Sequence, residues 1–216
     1  AFAAECAELH QAATAYIKQP DMAGFFALRQ AWSAASIAWA ACEPFEFGDV
    51  KGQFLHNRIG KWPSNTDRID EMLVATDTVK AAYIEGLGST SKGLAAVEYL
   101  LFELPADSMH AAFTMGSVAM RRGQILIGIT GNLMEKSELL EGFWEGENGY
   151  ASKWPISRET GVLHPMSLFA NSLIAMVQGV TQVKLGEPLG KFDWDVPQPL
   201  KAQAWRSKQS VSIMKA

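Results

Sequence analysis

The sequence is poor in cysteine, and this narrows the chemistry open to it. Only Cys6 and Cys42 occur among 216 residues, and they form no Cys-x-x-Cys pair. A thiol redox motif or a zinc–cysteine cluster is therefore unsupported. Both cysteines fall on apolar helix faces, which leaves two interpretations open. They are two buried thiols, or they form one disulfide between neighbouring helices in an oxidising compartment.

Long apolar runs and an excess of one charge are also missing. We expect no apolar stretch to reach the roughly 18 residues that a membrane span needs, and hence no transmembrane segment in this chain. No charged and then apolar leader opens the chain, so any export signal is absent from it. The net charge of -4, with scattered Lys and Arg, gives no reason to expect nucleic acid or anionic lipid as a partner.

Familiar catalytic motifs are absent as well. The sequence contains neither Gly-x-Ser-x-Gly nor His-Glu-x-x-His, so it predicts no catalytic residue of those types. The four histidines have no close ligand spacing. His56, in a loop, and His164, before a helix, are the two that could reach a site through space.

What the sequence does contain is helical periodicity. Apolar or small residues recur in steps of three and four in two N-terminal segments, which predicts two helices that end near Pro20 and Pro44. The first set is Phe2, Cys6, Leu9, Ala13 and Tyr16, and the second is Phe25, Leu28, Trp32, Ala35, Trp39 and Cys42. No segment alternates like a strand. We therefore predict an all-α fold, made of helical bundles with long irregular loops.

Glycine and proline residues along the rest of the chain indicate where helices end and loops begin. Residues 44–66 read as a long loop, 106–136 as one long helix, 165–185 as a further helix, and the segment from Leu200 as a last helical stretch. We predict an N-terminal bundle over 1–140, a connector over 141–163, and the start of a second bundle over 164–216. We expect this second half to be incomplete, because the last stretch has no stop signal.

One glutamate stands out. In "GLAAVEYLLF", the helical neighbours of Glu98 at three and four residues are Leu94, Ala95, Leu101 and Phe102. A helix that is apolar on all sides is a buried helix. A buried carboxylate is costly unless it is paired or ligated, so Glu98 needs a partner. Arg58 or Arg206 is a reasonable candidate, because arginine suits buried pairing.

Four segments in order carry a resemblance to a known family. "LRQAWSAASIAWAACEPFEFGDV", "KWPSNTDRIDEML", "KGLAAVEYLLFE" and the later "LGEPLG" with "AWRSKQSVSIMKA" resemble imelysin-like bacterial exported proteins. The resemblance implies an all-helical fold of two related bundles, a periplasmic or outer-membrane-anchored location, and a link to bacterial iron uptake. Imelysin itself is classed as a metallopeptidase, whereas many members are regarded as binding proteins.

The sequence departs from the family pattern at one informative position. The family's Gly-x-His-x-x-Glu falls on Gly93 to Glu98, and the histidine position is Ala95. Histidine and glutamate three residues apart on a helix could reach one metal ion, whereas alanine cannot ligate. Glu98 stays a candidate metal ligand, but the change weakens the peptidase interpretation.

Three functional hypotheses follow. The first is a non-enzymatic cell-envelope binding protein for a small ligand or metal, a divalent ion or iron, with other iron-uptake envelope proteins as possible partners. Its ligand would lie between the two helical halves. The candidate ligand-binding residues are Glu98, Glu43, Glu46, Arg58, Trp205 and Arg206. The second is an imelysin-type metallopeptidase. The third is a structural or interaction module without a ligand.

Overall fold

The structure is a computed structural model that describes residues 1–145, 149–154, 157–191 and 196–215. Helix is the dominant element, at 72% of the described residues, and those residues contain no strand. The predicted all-α class is confirmed. The predicted division at 1–140, 141–163 and 164–216 stays a prediction, and residues 146–148 and 155–156 of its connector lie outside the described residues.

The described residues form twelve α-helices in chain order. They are α1 (Phe2–Lys18), α2 (Met22–Cys42), α3 (Asp49–Gly52), α4 (Leu55–Ile59), α5 (Thr66–Val74), α6 (Ala81–Glu85), α7 (Gly93–Phe102), α8 (Ala106–Thr114), α9 (Ala119–Trp144), α10 (Tyr150–Lys153), α11 (Pro165–Gly179) and α12 (Ser210–Met214). Short 3₁₀ turns occupy Glu43–Phe45, Ser89–Ser91, Gly161–Leu163 and Pro199–Lys201, and a π-helical turn, Val180–Lys184, continues α11.

The first two helices form as their periodicity predicts. The predicted apolar positions of α1 from Phe2 to Tyr16 are buried, and so are those of α2 from Phe25 to Trp39. Asp21 caps α2, because its side chain accepts a hydrogen bond from the Gly24 amide at 2.6 Å. The two helices pack together, and α1 also packs along α9. These contacts build the main core.

Helix α7 lies at the centre of this bundle, against α2, α8 and α9. Eight of its ten residues are buried, which confirms the prediction that it is a buried helix. Its first residue, Gly93, has φ +79, and a Cβ there would lie 2.6 Å from the Ile59 carbonyl oxygen. Only glycine combines this left-handed conformation with so close a backbone approach. The glycine therefore fixes how α7 enters the core beside α4.

Three predicted segments differ in the structure. Residues 106–136 are two helices, because the chain turns at Gly116 with φ +88 between α8 and α9. The 44–66 loop contains a 3₁₀ turn, α3 and α4. The prediction of a C-terminal helix from Leu200 is wrong. The chain forms turns there, with Ala204 and Lys208 at positive φ, before α12 begins.

Helix α11 is attached to the bundle by aromatic side chains. Phe169 stacks on Phe45 with ring centroids 5.4 Å apart, and it also contacts Phe47 and Trp154. Trp144, at the end of α9, joins the same group through Phe45 and Phe47. We call these five residues the aromatic cluster. It couples the helix to the segment that follows α2.

The outer face of α11 is exposed and apolar. Ile174 and Val177 are each more than half exposed. The helix and its π-helical end, Pro165–Lys184, span 20 residues with a mean hydropathy of 1.2 in a window that is 0% buried. By length and composition alone it could cross a membrane, which corrects our expectation that no stretch would reach that length.

The two cysteines are free. Cys6 is buried and Cys42 is half-buried. Burial raises the pKa of the Cys6 thiol to about 12 and also raises that of Cys42. Of the two open interpretations, the structure agrees with two unbonded thiols and not with a disulfide.

Candidate functional site

Glu98 is 3% exposed and is held by the backbone of a distant segment. Its Oε1 accepts a hydrogen bond from the Ser207 amide at 2.8 Å. Burial raises the pKa of the Glu98 carboxyl, while Ser207 and the charge of Arg206 oppose that rise. The partner that the sequence required is therefore chiefly a peptide N–H.

A small cavity of about 20 Å³ lies beside Glu98 and Ala95, the position of the missing histidine. Two further polar groups that belong to residues lining it, Ser36 Oγ and Gln203 Oε1, are buried and have no hydrogen-bond partner in the described part of the chain. The cavity is comparable to the volume of a single water-sized probe. We call it the Ala95 cavity; it is too small for an organic ligand.

The arginines proposed as partners of Glu98 bind other carboxylates. Arg58 pairs with Glu85, with 2.5 Å between Nη1 and Oε1. Arg206 forms an ion pair with Glu103, and its guanidinium lies 5.1 Å from the centre of the Tyr99 ring and 4.5 Å from that of Trp205. Arg58 as the partner is wrong, whereas Arg206 acts on Glu98 through its charge and through its backbone N–H.

A much larger pocket, about 600 Å³, lies between the segment after α2 and helix α11. We call it the interhelical pocket. Its ionisable lining residues are Glu43, Glu46, Lys51, His56, Lys61 and Lys184. Apolar walls come from both sides, chiefly from Trp39, Phe47, Trp62, Leu168 and Met176. Pockets of this size accommodate small organic ligands.

Two of the candidate glutamates line this pocket, and Glu98 does not. Glu43 and Glu46 follow the end of α2, where Pro44 stops the helix and the 3₁₀ turn directs the chain toward α11. Arg58, Trp205 and Arg206 do not line it. They do not line the Ala95 cavity either. Gly60 and Trp62 line both cavities, so the three predicted glutamates are divided between two neighbouring cavities.

Glu43 is neutralised inside the protein. Lys184, on the π-helical turn, donates to Glu43 Oε2 at 2.6 Å, and the lysine side chain is only 7% exposed. The ammonium also lies 5.6 Å from the centre of the Trp62 ring. Because its charge is balanced by Glu43, Lys184 holds this part of the pocket wall in place and adds no net positive charge to the pocket.

Glu46 is the unusual carboxyl of the pocket. Burial and the neighbouring Glu43 raise its pKa to about 8, while a hydrogen bond from the His56 backbone N–H and the Lys51 charge oppose the rise. Its Oε1 is buried and has no hydrogen-bond partner among the described residues. His56 Nδ1 lies 4.0 Å away, too far for a hydrogen bond. Burial, together with Lys61 and Lys51, lowers the pKa of His56, so neither group is largely charged near neutral pH.

The other histidines have structural contacts. His164 caps α11, where its Nδ1 accepts from the Met166 amide at 3.2 Å. His10 Nδ1 lies 3.0 Å from Thr130 Oγ1, and His110 Nδ1 lies 2.9 Å from the Tyr16 hydroxyl. None of them takes the place of the missing motif histidine beside Glu98.

The residues present do not fit the metal ion that the motif implies. Ala95 offers only a methyl group, and Glu98 already accepts the Ser207 N–H. Across the described ranges, no group of three or more His, Cys, Asp or Glu side chains is placed to hold a metal ion. We therefore derive no step through a metal at this motif.

Sequence reasoning missed the lysines of the pocket. Lys51 and Lys61 lie in a segment without periodicity, and Lys184 is separated from Glu43 by 141 residues. No local pattern marks such a pairing. Only the position of Glu43 and Glu46 in a family-like segment pointed to this region.

Comparisons with known proteins agree with the fold. A solved structure described as "a putative iron-regulated protein A precursor" from Parabacteroides distasonis ATCC 8503 superposes with a TM-score of 0.73 at 18% identity. The match covers 99% of this chain and 65% of that chain, so this chain spans about two thirds of its length. No curated protein matches the chain.

The sequence itself matches a family model along its whole length. The model is that of imelysin, peptidase M75, and the match runs over residues 1–216. The order of the four segments, the buried α7 and the all-helical fold are consistent with this match. The chain belongs to the imelysin family.

Proposed function

We propose that this chain is a binding protein of the imelysin family and that its ligand occupies the interhelical pocket. The observation that carries the proposal is the pocket of about 600 Å³, which combines aromatic and aliphatic walls with a few polar groups. Small-molecule sites commonly have this composition. Glu46 Oε1, buried without a partner in the described part of the chain, supplies an unused polar group at the pocket.

The link to iron rests on relatives. The P. distasonis protein is described as iron-regulated and as a precursor, which supports a role in iron acquisition and a location in the cell envelope, periplasmic or anchored to the outer membrane. Other iron-uptake proteins of the envelope would then be its partners. In this proposal iron or another metal enters as part of the ligand.

A binding role accounts for the residues better than peptidase activity does. The motif histidine is Ala95, and Glu98 is engaged by a backbone amide. Glu98 lies in packed surroundings with only the Ala95 cavity beside it. We assign Glu98 to holding the 204–209 turn on α7, which is the role that the structural-module hypothesis gives it. For the protein as a whole, the interhelical pocket favours the binding-protein hypothesis over the structural-module hypothesis.

Blocking the pocket tests this proposal. Ala175 on α11 lines it and is exposed, so Ala175→Trp fills space without disturbing the core. Gln178→Trp, on the same helix but outside the lining, is the matched control. Calorimetric titration with ferrous ion, ferric citrate and ferrichrome should give binding of at least one iron species that Ala175→Trp abolishes and Gln178→Trp keeps. Binding that survives Ala175→Trp, or no binding of any species, would refute the proposal.

A further inference from the structure

The interhelical pocket is richer in hydrogen-bond donors than in acceptors. Lys51 and Lys61 line it and are exposed, and neither has an ion-pair partner in the part of the chain that the structure describes. The carboxylate of Glu43 is taken up by Lys184. Glu43 therefore does not neutralise the ammonium groups of Lys51 and Lys61 at the pocket.

Glu46 reinforces this polarity near neutral pH. A buried carboxyl with a pKa of about 8 is mostly protonated there, and the protonated group is a donor. Its Oε1 has no hydrogen-bond partner among the described residues. The Glu46 side chain as a whole is 13% exposed and lines the pocket, so the exposed part of the carboxyl group can meet a ligand. Asn57, Asn171 and Ser172 add neutral polar groups to the same lining.

We propose that the interhelical pocket binds an anionic, oxygen-rich small molecule of the polycarboxylate type, free or as its ferric chelate, and that binding is linked to a proton on Glu46. This inference rests on the proposed function and names its ligand class. Carboxylate oxygens accept charge-assisted hydrogen bonds from Lys51 and Lys61 and one from the Glu46 hydroxyl. A metal in such a molecule already has oxygen ligands, so the pocket needs no three-donor site of its own.

The sign of the proton link follows from charge. When Glu46 ionises, it loses its donor and places a negative charge beside the bound anion, so affinity falls as the pH rises through the pKa of Glu46. Reciprocally, the bound anion holds the proton on Glu46. The other charged or titratable groups that face Glu46 are Glu43, Lys51, His56, Lys61 and Lys184. Among these, neutral His56 gains a proton only at lower pH, where it would strengthen anion binding further.

The test is calorimetric titration of the full chain with citrate and with ferric citrate, and with ferrichrome as an uncharged ferric chelate. We expect wild-type affinity for the citrate species to fall about tenfold between about pH 7 and about pH 9. Glu46→Gln, which keeps a donor but cannot ionise, should lose that pH dependence. Because the protonation of citrate itself is common to both proteins, the difference between them isolates Glu46.

The lysines provide a second measurement. Lys51→Gln and Lys61→Gln should each weaken citrate binding about three- to tenfold, because each removes one charge-assisted contact. Lys18→Gln, at the exposed end of α1, is the matched control and should have no effect. A stronger response to ferric citrate than to citrate assigns the chelate as the ligand. The reverse assigns the free acid and refutes the part of the proposed function in which a metal belongs to the ligand.

Three results would overturn the inference. Ferrichrome or ferrous ion bound in an Ala175→Trp-sensitive way, without citrate binding, would refute the ligand class and leave the proposed function intact. A pH dependence that persists in Glu46→Gln would refute the proton link. If no probe binds in an Ala175→Trp-sensitive way, both the inference and the proposed function fail.

Discussion

Lys184 and Glu43 are 141 residues apart in sequence, and their side chains meet at 2.6 Å between Nζ and Oε2. Glu43 follows the end of α2, and Lys184 ends the π-helical continuation of α11. The lysine side chain is 7% exposed and the glutamate side chain 18%. This pair and the aromatic cluster both connect the α11 segment to the bundle, and both include residues that line the interhelical pocket.

The first prediction concerns that ion pair. Lys184→Met should lower the free energy of unfolding by about 1–3 kcal/mol, because it leaves Glu43 partly buried without its partner. The double variant Lys184→Met, Glu43→Gln should recover part of the loss. Urea unfolding followed by circular dichroism measures both. The exposed pair Arg68–Glu71 is the control, and Arg68→Gln should leave stability nearly unchanged, because solvent screens a pair of this kind. A zero coupling energy between positions 43 and 184 would contradict the prediction.

Glu98 should make stability depend on pH. Its folded pKa lies above the ordinary 4.5, so the folded state holds the proton more tightly than the unfolded chain. Stability is then lost as the pH rises from about 4.5 through the folded pKa. Glu98→Gln removes this loss and can still accept the Ser207 N–H.

We therefore expect Glu98→Gln to gain stability relative to wild type as the pH increases from about 4.5 toward neutrality. Thermal unfolding of both proteins between about pH 4 and about pH 8 measures the difference. Glu8→Gln, on the exposed face of α1, should give a curve parallel to wild type. A constant difference between Glu98→Gln and wild type at every pH would show that ionisation of Glu98 is not responsible.

Gly93 should tolerate no side chain. Gly93→Ala places a Cβ 2.6 Å from the Ile59 oxygen at φ +79, so we expect a loss of about 2 kcal/mol or more. Gly142→Ala, in α9 with nothing within 4 Å of the added Cβ, should stabilise by about 0.5–1 kcal/mol. Denaturant unfolding compares the two. Equal effects at both positions would mean that the contact of α7 with α4 is not tight.

The thiols should react at different rates. Both are free, and only Cys42 is partly accessible, beside a cavity of about 200 Å³. Ellman's reagent should label Cys42 slowly in the native protein and Cys6 only after unfolding, because thiolate formation is suppressed most strongly where burial is deepest. A native protein that yields no thiol even after denaturation would instead contain the disulfide.

Local periodicity explains why much of the fold could be predicted. The apolar steps of α1 and α2 and the apolar surroundings of Glu98 are properties of neighbouring residues, and burial followed them. The helix prediction for the end of the chain failed because a distant contact decides the structure there. There Ser207 donates to Glu98 across 109 residues, and this contact is made by a turn rather than by the helix that local propensity favours.

The site was only partly predictable. Glu43 and Glu46 were found from a family-like segment, but the pairing of Glu43 with Lys184 has no sequence signal, because nothing periodic connects the two positions. An arginine partner for Glu98 was a reasonable hypothesis from charge alone. A buried carboxylate is equally satisfied by a peptide N–H, which every residue but proline carries, and so the partner could not be read from side-chain types.

The aromatic cluster gives the protein a built-in optical reporter. Trp144 lies at the end of α9, Trp154 contacts Phe169 of α11, and the two indole rings are 6.1 Å apart. Any movement of α11 away from the bundle would change the surroundings of both rings. Intrinsic fluorescence would therefore report a movement of α11 in the unlabelled protein, with a ligand that does not absorb near the tryptophan emission.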